Sequence, residues 1–335
     1  MEAAHLPSTA LCGAAPEAIA VSAVTADSRA VRPGTLFAAL PGTHADGRTF
    51  IPAAVQAGAC AVLAPSGTVW PQGTPLCPVV ECENPRHALA LMPTALAGPQ
   101  PARLAAITGT NGKTSTADFM RQLWALQGFS ASAIGTLGLT GANPTGLTLP
   151  PLTTPDPVTL AHTLATLEQA GVHHVALEAS SHGLEQGRLD GLHLSAAGFS
   201  NLTRDHLDYH GTLEAYRQAK LHLLNSILPP GGLAVANADM DSPTLDAIKD
   251  IARTRTLRLP LVAAPRYNPA QPAAALVSET AGDADPVPDR DRISPPVLDP
   301  DRHVPVNPVA ITARLDDGFP VGGQRSAPHS PPGQA

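Results

Sequence analysis

Residues 107–115, with the sequence ITGTNGKTS, combine the residue types that hold a phosphate group. Gly109 and Gly112 allow the backbone to turn so that its N–H groups face phosphate oxygens. Lys113 adds a compact positive charge, and Thr114 begins a helix with a hydroxyl suited to magnesium. The alternative is a glycine turn that leads into a helix, with a solvated lysine. We favour the phosphate site because strand, loop and helix follow one another in the required order.

Lysine is rare in this sequence, so each lysine is a candidate for a specific role. Its three lysines are Lys113, Lys220 and Lys249, against eighteen arginines. An ammonium group is a compact point charge, whereas a guanidinium group is planar and bulkier, so lysine suits a phosphate loop better than arginine does. Lys220, in AYRQAKLHLL, is a second candidate for a position that requires a lysine rather than an arginine. The alternative is a solvent-facing lysine, which is the ordinary case on a helix.

A carboxylate and two hydroxyls follow the apolar run HHVAL. Glu178 comes where this strand-like run ends, and Ser180, Ser181 and His182 come shortly after it. A carboxylate at the carboxyl end of a strand, near a phosphate loop on a neighbouring strand, is a natural direct or indirect ligand of magnesium. The alternative is a glutamate that caps a loop. A serine hydrolase is excluded because no Gly-x-Ser-x-Gly elbow surrounds either serine.

Two histidines and two aspartates crowd the segment FSNLTRDHLDYHG. His206 and His210 have the His-x3-His spacing that can bind zinc on a helix, and Asp205 and Asp208 lie close to them in sequence. No third soft ligand is evident. We therefore expect these side chains to serve a site for magnesium and triphosphate rather than for zinc.

The bulk composition limits the classes of function. A net charge of −7, with no basic stripe, argues against nucleic acid as the main partner. The four cysteines show no paired metal spacing, and the N-terminal residues lack the basic and apolar regions of a signal peptide. No apolar stretch approaches the ~20 residues needed to cross a bilayer. These features predict a reduced cytoplasmic protein, and the aromatic content of 3% predicts a core of Ala, Val and Leu.

The patterns of predicted strands, helices and linkers divide the chain into three parts. The linker AGPQPAR separates a small α/β domain, residues 1–98, from a region of alternating strands and helices, residues 99–253. This alternation predicts an α/β fold with a mostly parallel sheet and ligands at the carboxyl ends of its strands. Gly128 and Gly171 are expected to close two of the helices. Residues 254–335 hold fifteen of the 36 prolines, so we expect a largely disordered tail.

Together these motifs resemble the Mur ligases, ATP-dependent enzymes that form amide bonds in peptidoglycan synthesis. GTNGKTS is similar to their phosphate-binding loop, which lacks the early glycine of the common type and so explains Ile107. LEASSHGLEQGRL and SNLTRDHLDYHGTLEAYRQAK resemble the versions found in members that add the third residue of the stem peptide. DSRAVRPGTLFAALPGTHADGRTFI resembles their N-terminal UDP-sugar domain, and the match spans about residues 20 to 250.

The resemblance implies ATP and Mg²⁺ as cofactors and gives each motif a role. The catalytic residues would be Lys113, Glu178, His206 and Lys220, and Lys220 would be carbamylated so that its added carboxylate helps position a second metal. Thr114, Glu178 and His206 would organise magnesium. The residues that would hold ATP are Gly109, Thr110, Asn111, Gly112, Lys113, Thr114 and Ser115.

The resemblance also implies the substrates. UDP-N-acetylmuramoyl-dipeptide and an amino acid, by analogy meso-diaminopimelate, would be joined through an acyl phosphate without a protein nucleophile. A monomer that binds neither nucleic acid nor a membrane is expected. The residues that match the family's substrate contacts are Ser28, Thr43, His44 and Ala45 for the UDP-muramoyl part and Thr153, Thr154, Ser180, Gln186 and Arg188 for the peptide part.

The C-terminal part of the sequence departs from the resemblance. The third domain's usual runs, Asp-Tyr-Ala-His-Thr-Pro and Asp-Asn-Pro-Arg, are absent from the sequence. We therefore expect a truncated or frame-shifted ligase, with an incomplete central domain and impaired ligation; a genuine disordered extension is the alternative for the tail. A non-catalytic protein that binds a UDP-sugar and a nucleotide is the alternative function. Folylpolyglutamate synthetase and cyanophycin synthetase relatives should lack the N-terminal UDP-sugar segment, which disfavours both.

Overall fold

The structure is a computed structural model that describes residues 19–42, 45–150 and 152–263. Within these ranges the chain forms two separate sheets, each packed against helices. Residues 264–335, which make up most of the predicted disordered tail, lie outside the described residues. Among the helices that the structure describes, none has the length and apolar character needed to cross a bilayer.

The N-terminal sheet has four parallel strands that follow the order of the chain. The strands are β1 Ala23–Thr25, β2 Thr35–Ala38, β3 Ala61–Pro65 and β4 Val79–Cys82, and the helices are α1 Ile51–Gln56 and α2 Pro85–Ala97. Nearly every residue of β2 and β3 is buried. This is typical of the inner strands of a parallel sheet that is covered on both faces.

The middle sheet has seven strands in the order β11, β10, β9, β5, β8, β6 and β7. Its strands are β5 Arg103–Thr108, β6 Ala131–Gly135, β7 Gly138–Gly141, β8 His174–Glu178, β9 Ala196–Phe199, β10 Leu233–Asn237 and β11 Leu261–Val262. Its helices are α3 Lys113–Leu126, α4 Pro157–Gln169, α5 Ser181–Glu185, α6 Leu207–His210, α7 Leu213–His222 and α8 Ser242–Thr254. Every strand pair is parallel except β6 with β7. The predicted α/β fold with a mostly parallel sheet is confirmed.

The ends of the helices agree with the signals in the sequence. The carboxylate of Asp156 accepts hydrogen bonds from backbone N–H groups in the first turn of α4 and so caps it. Helix α3 ends at Leu126 and α4 at Gln169, each just before a predicted closing glycine, Gly128 or Gly171. Local sequence therefore determines where these helices begin and end.

Aliphatic side chains build the core of the middle sheet, as the scarcity of aromatic residues predicts. One face of the sheet buries a large cluster in which Leu104, Leu164, Leu177 and Ile248 have essentially no exposed surface. Helix α3 lies on the other face and fully buries only Ala117. The middle unit thus has a thick core on one side and a thin one beneath α3.

The folded part extends beyond the predicted boundary at Arg253. Helix α8 runs to Thr254, and β11 then pairs with β10 at the edge of the sheet. The extension is brief, and both residues of β11 are exposed. Sequence patterns missed this strand because two residues are too few to show a period.

The two units pack closely, mainly through α2 and α4. The linker residue Gln100 supports the contact, because its side-chain amide donates to the carbonyl oxygen of Gly191 at 2.8 Å. Gly191 itself approaches the backbone of α2 so closely that a Cβ there would lie 2.2 Å from the carbonyl oxygen of Ala90. The absence of a side chain at this position is therefore required for the packing of the two units.

Gly191→Ala should reduce the free energy of unfolding by about 1–3 kcal/mol, because the added methyl group forces two backbones apart. Urea unfolding of the purified protein measures the change. Gly198→Ala is the matched control, since a Cβ there meets only Ile107 side-chain atoms at 3.7 Å and beyond. Equal losses in both variants would show that the contact with Ala90 does not limit the packing.

Candidate functional site

The carboxyl ends of β5, β8, β9 and β6 lie at one edge of the middle sheet, because these strands are parallel neighbours. Strand β5 ends at Thr108, and residues 109–112 lead directly into α3. Glu178 ends β8 and lies beside Ile107 in the register of the two strands. The predicted phosphate loop and the predicted carboxylate therefore meet at the same edge.

Two glycines give residues 109–112 their shape. Gly109 has a φ of 142° and Gly112 a φ of 83°, conformations that side chains rarely tolerate. A Cβ on Gly109 would also lie 1.9 Å from the hydroxyl oxygen of Ser200. Gly112 is the N-cap of α3 and no side chain caps the helix, so the first-turn N–H groups point at a position suited to an anion.

The segment after β9 holds the loop in place. The backbone N–H of Thr110 donates to the carbonyl oxygen of Asn201 at 2.9 Å, and that of Asn111 donates to the side chain of Asn201 at 3.0 Å. Ser200 donates its hydroxyl to the carbonyl oxygen of Asn111 at 2.7 Å. Sequence reasoning missed Ser200 and Asn201, although their position directly after a strand parallel to β5 was an available signal.

Two of the three lysines meet at one carbonyl oxygen of the loop. Lys113 donates from Nζ to the carbonyl oxygens of Gly109 at 3.0 Å and Thr110 at 2.9 Å. Lys220 donates to the same oxygen of Gly109 at 2.7 Å and lies over the ring of Tyr216, 4.5 Å from its centroid. Lys220 is only 1% exposed, so the solvent-facing alternative for this residue is wrong.

Burial lowers the pKa of both lysines, and at Lys220 the charge of the neighbouring Lys113 adds to this effect. Burial lowers the pKa of Lys113 from its usual value. Burial, with a smaller effect from the neighbouring Lys113 charge, lowers the pKa of Lys220 to about 7. The amine of Lys220 is therefore neutral in a large fraction of molecules near neutral pH, which is unusual for a lysine.

Glu178 is almost fully buried, and both of its carboxylate oxygens accept hydrogen bonds. Thr114 donates its hydroxyl to Oε2 at 2.8 Å, and the backbone N–H of Thr136 donates to Oε1 at 2.9 Å. A Cβ on Gly135 would lie 1.9 Å from Oε1, so only glycine fits beside the carboxylate. The sequence predicted that Glu178 and Thr114 act together, whereas Gly135 and Thr136 were missed.

The histidines form a cluster of aromatic rings beside this region. The rings of His182 and His206 meet edge to face with centroids 4.9 Å apart, and His206 has a left-handed backbone with a φ of 51°. His210 is buried and contacts the carboxylate of Glu185 at 2.9 Å through Nδ1. In the described part of the chain, no three His, Cys, Asp or Glu side chains are arranged to hold a metal. A role for His206 beside Thr114 and Glu178 stays a prediction.

The residues predicted to hold the peptide part of the substrate form one hydrogen-bonded network. Thr154 donates to the backbone carbonyl of Glu178 at 2.8 Å and accepts from the backbone N–H of Ser180 at 2.9 Å. Arg188 donates to the carbonyl oxygen of Thr154 at 2.6 Å and to the side-chain oxygen of Gln186 at 2.7 Å. Thr153 joins the network indirectly, because its hydroxyl lies 3.0 Å from that of Thr136.

The residues predicted to hold the UDP-muramoyl part lie in the N-terminal unit. Ser28 begins a 3-10 turn, Ser28–Ala30, after the capping side chain of Asp27. Ala45 is exposed and accepts a backbone hydrogen bond from Gly42 at 3.0 Å. Residues 43 and 44, the remaining predicted contacts Thr43 and His44, lie outside the described residues.

This arrangement offers backbone N–H groups, an ammonium group, a hydroxyl and a buried carboxylate around one loop at the strand ends. Such an arrangement, a glycine turn between a strand end and an uncapped helix N-terminus, is typical of loops that bind phosphate, and here an N-terminal α/β unit precedes it. Two family descriptions match the same regions: "Mur ligase family, catalytic domain" over residues 20–92 and "Mur ligase middle domain" over residues 107–260. The chain belongs to the Mur ligase family.

Two curated relatives share the name UDP-N-acetylmuramoyl-L-alanyl-D-glutamate--2,6-diaminopimelate ligase. The Caulobacter vibrioides protein is 53% identical over 226 residues, which are 66% of this chain and 46% of the relative. The Bradyrhizobium diazoefficiens protein is 49% identical over 242 residues, 72% of this chain and 48% of the relative. A solved structure with the same name has a TM-score of 0.63 and 30% identity, and the match covers 78% of this chain and 53% of that one. The chain thus spans about half the length of the relatives it matches.

The free energy of unfolding should depend on pH through the protonation of the Lys220 amine. Between the folded pKa of about 7 and the usual value of 10.5, the unfolded state holds this proton and the folded state does not, so stability rises with pH. From about pH 7 to about pH 9, in buffer depleted of carbon dioxide, the wild-type protein should gain about 2 kcal/mol more than Lys220→Met. Urea unfolding at the two pH values measures this difference.

Lys249→Met is the control for this experiment, because Lys249 is the remaining lysine and only pairs with Asp246 at 3.3 Å on the surface. It should keep the pH slope of the wild-type protein. A wild-type slope in Lys220→Met would mean that Lys220 keeps an ordinary pKa in the folded protein.

Proposed function

We propose that this chain binds ATP and a UDP-N-acetylmuramoyl-dipeptide and carries these two sites of an ATP-dependent ligase. The reaction would add the third residue, meso-diaminopimelate, to the D-glutamate end of UDP-N-acetylmuramoyl-L-Ala-D-Glu. The observation that carries the proposal is the hydrogen bond from Thr114 to the buried Glu178, beside the ammonium group of Lys113. The names of the curated relatives supply the substrate class.

Residues 109–115 fit the phosphates of ATP. Asn111, Gly112 and Ser115 are exposed, so a ligand can reach the turn and the first N–H groups of α3. Lys113 now donates to two carbonyl oxygens of the loop and can turn from them toward phosphate oxygens. Gly109 and Thr110 are held from behind by the segment after β9, so the loop needs little ordering when ATP binds.

Magnesium fits the same place because a hydroxyl and a carboxylate lie 2.8 Å apart there. Mg²⁺ prefers one or two protein oxygens together with phosphate oxygens and water, rather than a full protein cage. Thr114 and Glu178 would be these ligands, and His206 would approach from the neighbouring segment. When bound, the ion would neutralise charge on the phosphates.

Lys220 is suited to carbamylation, in which its neutral amine bonds to carbon dioxide and releases a proton. The amine is buried, and its lowered pKa favours the neutral form that this reaction requires. The product would carry a negative charge beside the Lys113 ammonium, replacing a repulsion with an attraction. An arginine could not be modified in this way, which agrees with the retention of a lysine here.

The proposed chemistry needs no protein nucleophile. The terminal carboxylate of the dipeptide attacks the γ-phosphorus of ATP, and the bond to ADP breaks to give an acyl phosphate and ADP. The amino group of the incoming amino acid then attacks the acyl carbon, loses a proton and displaces phosphate. Lys113 would stabilise the charge that gathers on the transferred phosphoryl group, while Thr154, Ser180 and Arg188 would hold the dipeptide.

We also propose that the protein is a cytoplasmic monomer that takes part in peptidoglycan synthesis, and through it in cell shape and cell division. The alternative is a chain that binds the nucleotide and the UDP-sugar without ligation. Titration calorimetry with each ligand, and phosphate release that depends on the amino acid, distinguish the two. Failure of both ligands to bind would contradict both.

Glu178→Gln should weaken the binding of ATP in Mg²⁺ by about 10-fold to 100-fold, because the carboxylate charge is lost while the side-chain shape is kept. Binding in excess chelator should be unchanged. Calorimetry under both conditions measures the effect. Glu168→Gln is the control, because Glu168 pairs with His173 at 2.8 Å away from the loop. A loss of equal size with and without Mg²⁺ would contradict a metal role for Glu178.

A further inference from the structure

A buried carboxylate joins the two units of the protein. Asp190, in the loop after α5, accepts a hydrogen bond from Nδ1 of His87 at 2.8 Å and one from Nε2 of His222 at 3.0 Å. His87 lies in the first turn of α2 in the N-terminal unit, and His222 ends α7 in the middle unit. The three side chains therefore connect α2, α7 and the loop after α5.

The contact of Asp190 with the two histidines involves an ionised carboxylate that is shielded from solvent. The Asp190 side chain is only 8% exposed. Burial alone would raise its pKa, but the hydrogen bonds from His222 and His87 outweigh burial and hold the pKa of Asp190 at about 2. The carboxylate in turn raises the pKa of His87. An ionised carboxylate between two ring N–H donors is a charge-assisted contact, which is roughly twice as strong as a neutral one.

The residues next to this contact reach both parts of the proposed substrate site. Arg86, adjacent to His87, donates to the carbonyl oxygen of Pro41. Pro41 forms an antiparallel bridge with Asp46, which follows Ala45, one of the residues predicted to contact the UDP-muramoyl part. Asp190 follows Arg188 by two residues, and Arg188 holds the backbone of Thr154. The same contact is thus connected to the Pro41–Asp46 bridge on one side and to the peptide-binding network on the other.

The geometry also leaves open space between the units. A cavity of about 260 Å³ lies between the start of α2 and the segments around α5 and α7. Arg86, Asp190 and His222 all line it, together with Glu185 and Gly187. At the start of α2, beyond its packing against α4, the contacts of His87 and His222 with Asp190 reach across one side of this cavity.

We propose that the His87–Asp190–His222 contact is a positioning device that sets the distance between the Pro41–Asp46 bridge of the N-terminal unit and the peptide-binding network of the middle unit. The inference rests on the proposed function, because it requires a ligand that touches both units. A ligand that bridges two elements binds more tightly when their separation is already correct, since less freedom is lost on binding. A ligand that touches one unit only gains nothing from the contact.

His87→Ala tests this inference with three ligands in titration calorimetry. The dissociation constant of UDP-N-acetylmuramoyl-dipeptide should rise about 10-fold, because the ligand must then order the start of α2 and the loop after α5 itself. The constants for UDP, which reaches the N-terminal unit alone, and for ATP, which reaches the middle unit alone, should stay within about twofold. His87→Asn keeps an N–H donor near the position of Nδ1 and should restore most of the affinity for the dipeptide ligand.

His173→Ala is the matched control, because His173 makes a contact of the same 2.8 Å length with Glu168 inside the middle unit. It should leave all three dissociation constants unchanged. Unchanged dipeptide binding in His87→Ala, or an equal loss for all three ligands, would overturn the inference while the proposed function stands. A wild-type protein that binds UDP and ATP but not the dipeptide ligand would overturn the proposed function and, with it, the inference.

Discussion

The site depends on one constraint, which is the close approach of the loop after β5 to the segment after β9. This approach is possible only because Gly109 has no side chain, since a Cβ there would overlap the hydroxyl of Ser200. The approach turns the Gly109 carbonyl toward Lys113 and Lys220. The absence of a side chain at Gly109 thus allows both ammonium groups to reach its carbonyl oxygen.

The electrostatics of the region follow from that arrangement. Two ammonium groups share one carbonyl oxygen, with Lys220 buried and Lys113 partly buried, and burial lowers the pKa of each. The buried carboxylate of Glu178 partly offsets the charge of Lys113. A site built in this way favours a ligand that brings negative charge close to the lysines.

Much of the fold could be predicted from the sequence, because caps, closing glycines and apolar runs act locally. The phosphate loop and the pairing of Thr114 with Glu178 were also predictable, since parallel strands bring their carboxyl ends together. The hydrogen bonds that join Ser200 and Asn201 to the phosphate loop could not be predicted, nor could the contact of Asp190 with His87. Their partners are about 90 to 103 residues apart in sequence, and no local pattern records such contacts.

The sequence by itself determined the order of the elements, the loop that turns on two glycines and the choice of lysine at positions 113 and 220. These depend on backbone freedom and side-chain chemistry, which belong to each residue alone. Only the tertiary structure decided that Lys220 is buried, that it meets Lys113 at Gly109 and that the two units meet at Asp190. Burial and proximity arise from packing between distant segments, and they set the protonation and orientation of these groups.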